Sequence, residues 1–527
     1  MDFTSDIVVA GAGHNSLITA AYLAKAGHEC LLLDARAIPG GGCATEALLG
    51  ADYKIDTCGT GHTLIRMNPV LLLDELGLIS DYGLHFFEPD PVSHVIFPDG
   101  EQLTQWLNLD KTLAEIARFS ERDAEAYARA FREFDEVASI IGCARLRPHG
   151  MGASMQESLK EHPRGGVWLR RDAMAAADLI RREYEEPHVR AFVAWLASQP
   201  LVPLDSPGTG LLAYASIYGL QRLSWSILQG GSGMLITALT SFLEKHGSQI
   251  LCGKQVCRLL VDDGRCVGVE TADGDRYLAR KAVISTIHIK HLVGMADADL
   301  WGEDFTYGVE TYDVGMSAYA GYYVLDHAPE VVSSSGSRLA VKAGAAPWLE
   351  DVVAVGRAAK DQVPYTPDNP WLLMATPTLV DPQRAPAGQH TVKIMGPHTW
   401  EIPSGRDWSD YKYEVLDRAL EVLRPHVPAL ASEHILHSFV RSPADIERAN
   451  QHMVQGTLHG GDRSYAFSGS HRPVPGWAAH RMPIPGLYQT GGTTSIGGSI
   501  TGIPGRNAAQ VVLTDLGHDP SGVMTIV

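Results

Sequence analysis

The sequence predicts an α/β protein in which a parallel-sheet lobe is interleaved with an antiparallel-sheet lobe and a helical cap. The chain opens with an apolar run, a glycine turn and a helical pattern, which together are typical of a βαβ unit. Similar strand and helix patterns return in the middle of the chain and near its end. The two long segments between them carry amphipathic helical spacing and alternating apolar residues, and they would form the other lobe and the cap.

The first strand, turn and helix occupy residues 6–27 and lead into a second apolar strand that ends at Asp34. Gly11 permits a tight turn, and Gly13 lets the backbone approach a diphosphate at the helix N-terminus. Asp34 stands about twenty residues further on, where an acidic side chain meets ribose hydroxyls. Ser16 replaces the third glycine, whose task is helix–strand packing, so the change is mild. The pattern predicts a Rossmann-type dinucleotide site.

The segment after Asp34 narrows the dinucleotide to FAD. Five residues, a Gly-Gly step, three residues and Thr45 follow the acid, as in one large group of FAD enzymes. Glycines here let the chain pass beside the diphosphate and ribityl chain without a side-chain clash. The cofactor contacts predicted in this part of the chain are Gly11, Gly13, His14, Asn15, Ser16, Asp34, Ala35, Gly41, Gly42 and Thr45.

The net charge of −18, from 61 acidic and 43 basic residues, argues against a nucleic-acid partner. Anionic lipids would be repelled on average, although a local basic or apolar patch leaves peripheral membrane contact open. A homo-oligomer is also left open. No run of 18 apolar residues occurs and the first strand starts at once, so we expect neither a membrane span nor a signal peptide.

The seven cysteines form no C-x-x-C pair, so neither a redox dithiol nor a metal site is expected. An odd number of cysteines without a disulfide framework fits a reducing compartment. We therefore expect a cytoplasmic protein.

Three separated stretches are predicted to build the cofactor lobe. The second stretch opens at a glycine turn over 230–233 and includes a hairpin around 263–264, and the third runs from a strand into Gly491. The remaining segments would build the substrate lobe. The predicted bounds are 1–75, 225–295 and 481–527 for the FAD-binding lobe, 76–224 and 296–480 for the substrate lobe, and 110–220 for a helical insert.

The C-terminal region carries the most specific pattern. Residues 442–448 read Ser-Pro-Ala-Asp-Ile-Glu-Arg, and residues 491–500 read Gly-Gly-Thr-Thr-Ser-Ile-Gly-Gly-Ser-Ile. With the N-terminal motifs and the block 230–286, these runs closely resemble the phytoene desaturase-like FAD-dependent oxidoreductases of the amine-oxidase-like superfamily. The branch named for a pyridine nucleotide-disulfide oxidoreductase domain is the most similar. Neither a second G-x-G-x-x-G nor a dithiol occurs, so disulfide reduction with NAD(P)H is not expected.

The resemblance implies a Rossmann-type FAD-binding lobe interleaved with an antiparallel-sheet substrate lobe. The glycine turn before the last helix would offer backbone N–H groups that stabilise negative charge on the flavin. The family usually has His-Pro where this chain has Ser495 and Ile496, so the substrate side differs there. The further FAD contacts implied by the resemblance are Val256 through its backbone, Gly491, Gly492 and Ile500.

The chemistry implied by FAD is removal of a hydride from a substrate C–H or N–H bond to flavin N5. His62 follows the Gly-Gly step by about twenty residues, where this fold returns to the flavin, and it is the candidate catalytic base. A hydrogen-bonded structural histidine is the alternative. Aromatic residues of the substrate lobe, such as Trp225, are expected mostly in the core, with some lining an apolar tunnel. The candidate substrate-lining residues, each with a packing or loop-bracing alternative, are Arg66, Tyr323, Trp371, His459, Tyr465, Thr494 and Ser495.

The predicted function is that of an FAD-dependent dehydrogenase or desaturase, which transfers a hydride from a largely apolar organic substrate to flavin N5. Oxygen or a quinone would reoxidise the flavin, since no NAD(P) site is apparent. A flavin amine oxidase and a redox-neutral polyene isomerase, as among some relatives, are alternatives on the same fold. The alternative from a different class is a non-catalytic binder of a prenyl or lipid ligand, which the largely intact FAD motifs disfavour.

Overall fold

The structure is a computed structural model that describes residues 2–334 and 336–527. Within these ranges, no helix combines the length and the apolar character that crossing a membrane requires.

The described strands and α-helices follow in chain order. The strands are β1 (Asp2–Ala10), β2 (Cys30–Asp34), β3 (Thr45–Glu46), β4 (Ile55–Asp56), β5 (Phe86–Phe87), β6 (Ser93–Ile96), β7 (Gln102–Gln105), β8 (Ile227–Leu228), β9 (Gln249–Cys252), β10 (Val256–Asp262), β11 (Arg265–Thr271), β12 (Arg276–Ser285), β13 (Ser317–Leu325), β14 (Val331–Ser333), β15 (Gly336–Arg338), β16 (Lys342–Ala345), β17 (Leu373–Ala375), β18 (His390–His398), β19 (Ile435–Arg441) and β20 (Leu487–Gln489). The helices are α1 (His14–Lys25), α2 (Pro69–Leu72), α3 (Leu109–Ala117), α4 (Glu121–Arg145), α5 (Met155–Lys160), α6 (Gly165–Ala173), α7 (Ala176–Glu183), α8 (Pro187–Ala197), α9 (Leu212–Leu223), α10 (Gly233–Lys245), α11 (Ile289–Leu292), α12 (Glu303–Glu310), α13 (Leu349–Lys360), α14 (Trp408–Leu423), α15 (Pro443–Ala449) and α16 (Ile503–Asp515).

The first sheet places its strands in the order β10, β11, β12, β1, β2, β9, and β20 pairs with the C-terminal part of β12. Strand β1 is parallel to β12 and β2, and β2 is parallel to β9, as in a Rossmann-type lobe. The apolar run of β1 is buried on both faces. Ile7 and Val9 share a core with α1, α10 and α16, whereas Val8 and Ala10 share one with β10, β11 and α12. The predicted α/β class is confirmed.

The second sheet has the order β19, β13, β18, β17, β16, β6, β7. Its neighbouring strands are antiparallel except β16 and β6, which are parallel. Helix α14 covers one face through a core that includes Tyr323 and Leu416. The other face packs against the cap through a core that includes Tyr322 and Trp195. The expected antiparallel sheet is therefore present, with a parallel pair towards one edge.

The helical cap consists of α3 to α9 and spans residues 109–223. Its longest helix, α4, begins where the Ser120 hydroxyl accepts a hydrogen bond from the Asp123 backbone N–H at 3.1 Å. The buried ring of Trp168 packs edge to face against the buried rings of Tyr214 and of Phe134, which belongs to α4. The strands of both sheets come from several separated segments of the chain. The lobe bounds given by the sequence stay predictions.

A buried carboxylate, that of Asp56, joins the two lobes. Asp56 accepts hydrogen bonds from the Thr45 hydroxyl at 2.7 Å and from the Ser232 backbone N–H at 2.8 Å. It also forms an ion pair with Arg384 at 2.8 Å, and both side chains are buried. Lys393 of β18 donates to the Asp56 backbone oxygen at 3.4 Å. Burial works to raise the pKa of Asp56, but the charge of Arg384 and the two hydrogen bonds hold it below its ordinary value.

Replacing Asp56 with asparagine should lower the free energy of unfolding by about 3 kcal/mol, because Arg384 would stay buried without its counter-charge. Urea denaturation of the wild type and the Asp56→Asn variant at pH 7 measures this loss. Since the folded-state pKa of Asp56 is depressed, its contribution is present above about pH 4 and is lost as the pH falls through the lowered pKa.

The control for this measurement is the exposed ion pair between Arg258 and Glu270. A Glu270→Gln variant should unfold at nearly the wild-type urea concentration, because exposed ion pairs contribute little. An Asp56→Asn protein as stable as the wild type would contradict the role given to this carboxylate.

Candidate cofactor and substrate site

A cavity of about 1170 Å³ is lined by residues of both sheets. Its volume exceeds the roughly 300–1,000 Å³ that is usual for a single drug-sized ligand. The turns that follow β1, β2 and β20 line one part, and β17, β18 and the cap line another. The cavity therefore has room for a long ligand with a second molecule beside it.

The turn after β1 presents a helix N-terminus to the cavity. Gly11 has a φ of +110°, and a Cβ at this position would overlap the Thr286 hydroxyl. Gly13 stands before α1 with an extended backbone, and none of the described side chains caps the helix there. The first N–H groups of α1 are thus available to a ligand, and the helix dipole favours an anion such as a phosphate.

The glycine step after β2 packs directly on this first turn. The Gly40 N–H donates to the Ala12 carbonyl at 2.8 Å, and a Cβ at Gly41 would lie 3.3 Å from the Gly13 Cα. The Asp34 carboxylate accepts a hydrogen bond from the Ala12 N–H at 2.8 Å, and burial raises the pKa of Asp34. This acid braces the two turns and keeps lone pairs for a further donor in the cavity.

The turn after β20 supplies a third glycine segment. Gly491 has a φ of +93°, and a Cβ at Gly492 would lie 2.8 Å from His452 Nε2. The buried guanidinium of Arg472 donates to the backbone oxygens of Gly492 at 3.1 Å and His459 at 3.0 Å. These hydrogen bonds hold the turn against the segment before it, so the glycines stay at the cavity wall.

Most residues predicted to contact FAD line the cavity, whereas Ser16 and Thr45 do not. Ser16 Oγ lies 2.9 Å from Thr286 Oγ1, and Thr45 Oγ1 accepts a hydrogen bond from the Gly233 N–H at 2.9 Å. Both side chains support the turns from behind the lining. The predicted residues that do line the cavity are Gly11, Gly13, His14, Asn15, Asp34, Ala35, Gly41, Gly42, Val256, Gly491, Gly492 and Ile500.

His62 lies outside the lining, although its spacing predicted a place at the flavin. Its backbone N–H donates to the Ser226 carbonyl at 2.8 Å, and its fully buried ring turns into the core. Its Nδ1 hydrogen-bonds to the Thr60 carbonyl at 3.0 Å, and its Nε2 lies 3.8 Å from Cys43 Sγ. Burial lowers the pKa of His62 to about 4. The ring is therefore neutral and engaged in structural contacts, and we assign it no catalytic role.

Of the candidate substrate-lining residues, Trp371 and His459 line the cavity. Arg66 is held in an ion pair with a neighbouring glutamate, and Tyr465 is 57% exposed. Tyr323 packs on the α14 side of the second sheet, because successive residues of β13 point to opposite faces. These three side chains are therefore placed away from the cavity.

Thr494 and Ser495 also lie outside the lining. The Thr494 hydroxyl donates to the Gly491 carbonyl at 2.9 Å, and Ser495 Oγ lies 3.2 Å from His149 Nε2. Both side chains are buried within the turn and under the cap, so they shape the glycine segment from outside the cavity.

Several lining residues of the second sheet and the cap were not predicted. Alternation along β18 indicates that Lys393 and Met395 share a face, but the sequence does not indicate which face meets the cofactor lobe. From the sequence alone, Trp225 is only one of the aromatic residues that are expected mostly in the core. The cavity residues missed by the sequence analysis include Gln199, Leu373, Lys393, Met395 and Leu458.

Lys393 lines the cavity, and its ammonium group donates hydrogen bonds to groups of the protein. Lys393 Nζ donates to Thr60 Oγ1 at 2.6 Å and to the Cys58 carbonyl. Burial lowers the pKa of Lys393. The side chain therefore ties the segment that follows Asp56 to the second sheet instead of standing free at the cavity.

His459 also lines the cavity, and its ring is neutral. Its Nδ1 lies 3.3 Å from Ser499 Oγ, and its ring also hydrogen-bonds to the Gln199 backbone oxygen. Burial, together with the nearby charges of Arg463 and Arg472, lowers the pKa of His459 to about 3. The cavity thus presents a neutral imidazole in a lining that also includes the apolar side chain of Leu458.

Residues 17–513 match the model of a protein family described as flavin containing amine oxidoreductase. The chain belongs to this family. It is therefore an FAD-dependent oxidoreductase, and the predicted phytoene desaturase-like resemblance is confirmed. The cavity fits FAD, since it combines an uncapped helix N-terminus with glycine segments that leave room for a diphosphate.

Relatives of this flavin-containing oxidoreductase cover nearly the whole chain. The rat pyridine nucleotide-disulfide oxidoreductase domain-containing protein 2 is 26% identical over 556 residues, which cover 97% of this chain and 94% of the relative. A limonene dehydrogenase component of Castellaniella defragrans is 25% identical, with 97% of this chain and 95% of the relative covered. The lycopene-forming phytoene desaturase of a Paracoccus species is 24% identical, with 97% of each chain covered.

A solved structure of putrescine oxidase shares the fold of this family member. It superimposes with a TM-score of 0.63 at 13% identity, covering 98% of this chain and 99% of that chain. At this identity the likeness concerns the fold alone.

A valine at position 13 should weaken FAD binding without unfolding the protein. The backbone of Gly13 is extended, and none of the described atoms lies within 4 Å of a Cβ built there, so the side chain would enter the cavity. Overpacking of this kind typically costs about 1–3 kcal/mol, so we expect about ten- to a hundredfold weaker FAD affinity for Gly13→Val. Titration of the apoprotein with FAD, followed by flavin fluorescence, measures the change.

The comparison variants separate cofactor contact from folding. Gly11→Ala should lower the thermal midpoint, because the position has a positive φ and the new Cβ overlaps Thr286. Gly142→Ala, in the last turn of α4 with open space around it, should match the wild type in FAD affinity and should unfold at the same or a slightly higher temperature. Wild-type FAD affinity in Gly13→Val would show that the first turn does not hold the diphosphate.

Proposed function

We propose that this flavoenzyme dehydrogenates a largely apolar organic molecule: a hydride leaves one carbon for the flavin, a proton leaves the neighbouring carbon for water, and a C=C bond forms. The observation that carries the proposal is an apolar wall that shares one cavity with the three glycine segments. The names of two relatives, limonene dehydrogenase and phytoene desaturase, agree with removal of hydrogen from such molecules. The residues of this apolar wall are Trp225, Trp371, Leu373, Met395 and Leu458.

We propose that FAD lies along the lining of the first lobe. The N-terminus of α1 would hold the diphosphate, and Asp34 would accept a hydrogen bond from a ribose hydroxyl. The Val256 backbone would meet the adenine side, while Gly491 and Gly492 would lie along the ribityl chain. These placements are supported by one observation: the turn before α1, Asp34, Val256, Gly491 and Gly492 all line the same cavity.

The protein itself would bind and orient the substrate and would exclude water from it. FAD, when bound, supplies the hydride acceptor. The apolar wall would hold the substrate's reacting carbon in a dry environment, where a hydride can move without competition from solvent. Backbone N–H groups of the segment around Gly491 would favour negative charge at the polar edge of the cofactor.

The side chains that titrate near the apolar wall are not free bases. The His459 ring hydrogen-bonds to the Gln199 backbone, and its Nδ1 lies 3.3 Å from Ser499 Oγ. Lys393 Nζ is engaged by Thr60 and the backbone. The wall therefore positions a substrate, and the proposal assigns no proton transfer to these two residues.

We infer that oxygen or a quinone accepts the electrons from the reduced protein. The printed sequence contains no second G-x-G-x-x-G motif with which to bind a nicotinamide dinucleotide.

Amine oxidation is a second candidate, favoured by the two indole rings in the cavity wall. Trp225 and Trp371 are of the kind that hold an ammonium group by cation–π interaction. However, the Lys342 side chain already covers one approach to the Trp225 ring, with its Nζ 5.9 Å from the ring centroid, and burial lowers the pKa of Lys342 well below its usual value. Dehydrogenation of an uncharged molecule is therefore the better-supported function.

Anaerobic mixing of the FAD-loaded protein with candidate molecules tests the proposal through the loss of flavin absorbance. We expect alkenes or cyclic ketones to bleach the flavin and primary amines to leave it yellow. Bleaching by amines alone would replace the proposal with amine oxidation. A protein that takes up no added FAD would exclude every redox function.

The apolar wall can be tested by a matched pair of variants at Met395. Met395→Glu places a charge in the wall and should slow bleaching at least about tenfold, whereas Met395→Leu conserves volume and should stay near the wild type. FAD content, measured for each variant, separates a substrate effect from loss of cofactor. Equal bleaching rates in both variants would show that the substrate does not contact this wall.

A further inference from the structure

The indole N–H of Trp225 is a hydrogen-bond donor at the cavity wall that the protein leaves unused. The side chain is 7% exposed and lines the cavity. In the described ranges its Nε1 has no hydrogen-bond partner. The neighbouring indoles differ, because Trp371 Nε1 donates to the Trp195 carbonyl at 3.1 Å and Trp195 Nε1 donates to the Leu372 carbonyl at 3.0 Å.

Glycine at position 61 keeps the space beside this donor open. Gly61 also lines the cavity, and a Cβ there would overlap Trp225 Nε1 and lie 2.7 Å from its Cδ1. The Gly61 backbone is held in place by a bridge to Ile227 of β8. Any larger residue would therefore push the indole aside or cover its N–H group.

A second unused donor lines the same cavity. The Nε2 of Gln199 is buried, and it has no hydrogen-bond partner in the parts of the chain that the structure describes. The backbone oxygen of Gln199, two residues after the end of α8, accepts a hydrogen bond from the His459 ring. A buried donor without a partner, such as Gln199 Nε2, costs free energy, and the unpaired Trp225 N–H belongs to the same cavity lining, so the two groups indicate an acceptor that arrives with a ligand.

The nature of that acceptor follows from the charges around the wall. An amine would bring further donors to a place that already presents N–H groups. A carboxylate would need a free cation, but Lys393 is engaged by Thr60 and Cys58. The two arginines near His459, Arg463 and Arg472, donate to backbone oxygens and do not belong to the lining. Lys342 lies behind the ring faces of Trp195 and Trp225 and does not belong to the lining. An uncharged oxygen acceptor fits these conditions best.

We propose that the substrate carries a carbonyl oxygen that accepts a hydrogen bond from Trp225 Nε1, with the Gln199 amide as a second donor. The substrate class is then an oxygenated apolar molecule, such as a ketone, an aldehyde or an ester, instead of a plain hydrocarbon. This inference rests on the proposed function, because the molecule recognised here is the one that is dehydrogenated.

Paired ligands test the inference in the FAD-loaded protein without oxygen. Cyclohexanone with cyclohexene, and carvone with limonene, are pairs that keep the ring and add the carbonyl oxygen. Calorimetric titration of the wild type should show at least one ketone binding about five- to tenfold more tightly than its alkene, which is the worth of one hydrogen bond. Equal affinities in both pairs, or no ketone binding, overturn the proposal.

Three variants locate the donor. Trp225→Phe keeps an aromatic ring and removes the N–H, so it should reduce the ketone preference to near one while alkene affinity changes little. Trp371→Phe is the matched control, since its N–H is already used by the protein and both ligands should change alike. If Trp225→Phe does not fold, Gly61→Ala carries the same test by covering the N–H group.

Two further measurements keep the outcomes distinct. A Trp225→Phe protein that loses FAD and retains the ketone preference would show that the indole serves the cofactor, which overturns the proposal. Flavin bleaching is recorded separately in each titration. A ketone preference that depends on Trp225, without bleaching by any ligand, supports the donor site while contradicting the proposed dehydrogenation.

Discussion

The buried carboxylate of Asp56 is the interaction on which the position of the cavity depends. It joins strand β3 at Thr45, the start of α10 and, through Arg384, the segment that connects β17 and β18 of the second sheet. A buried charge is tolerated only when all its partners are present, so the two lobes are held to one arrangement. Residues 58–61 follow directly, and this arrangement brings them to the wall between the cofactor lobe and the second sheet.

Strand direction explains why segments far apart in the sequence meet at one site. Strands β1, β2, β12 and β20 are parallel, so their carboxyl ends lie along one edge of the first sheet. The segments after β1, β2 and β20 each carry glycines at that edge, where the backbone of one turn packs against the next. Free backbone N–H groups are thereby concentrated where a diphosphate can use them.

The two ends of the cavity differ in their chemistry. The glycine end offers backbone donors, whereas the opposite end is apolar and its titratable groups are neutral or already engaged. The ring of His459 is neutral and the ammonium of Lys393 is used by neighbouring oxygens. In such a low-dielectric environment each remaining hydrogen bond is stronger than in water. In the substrate site that we propose, a single indole N–H, that of Trp225, would therefore be enough to orient a substrate.

Local sequence was enough to establish the α/β class, the FAD cofactor and the turn positions of Gly13 and Gly41. Glycine conformations and strand periodicity depend on neighbouring residues, so one sequence displays them. The same spacing arguments placed His62 at the flavin, but contacts with distant segments turn its ring into the core. Trp225 and Lys393 reach the cavity only because the cap and the second sheet fold over the first lobe. Long-range packing thus decided which side chains line the cavity, and this cannot be read directly from the order of residues in the chain.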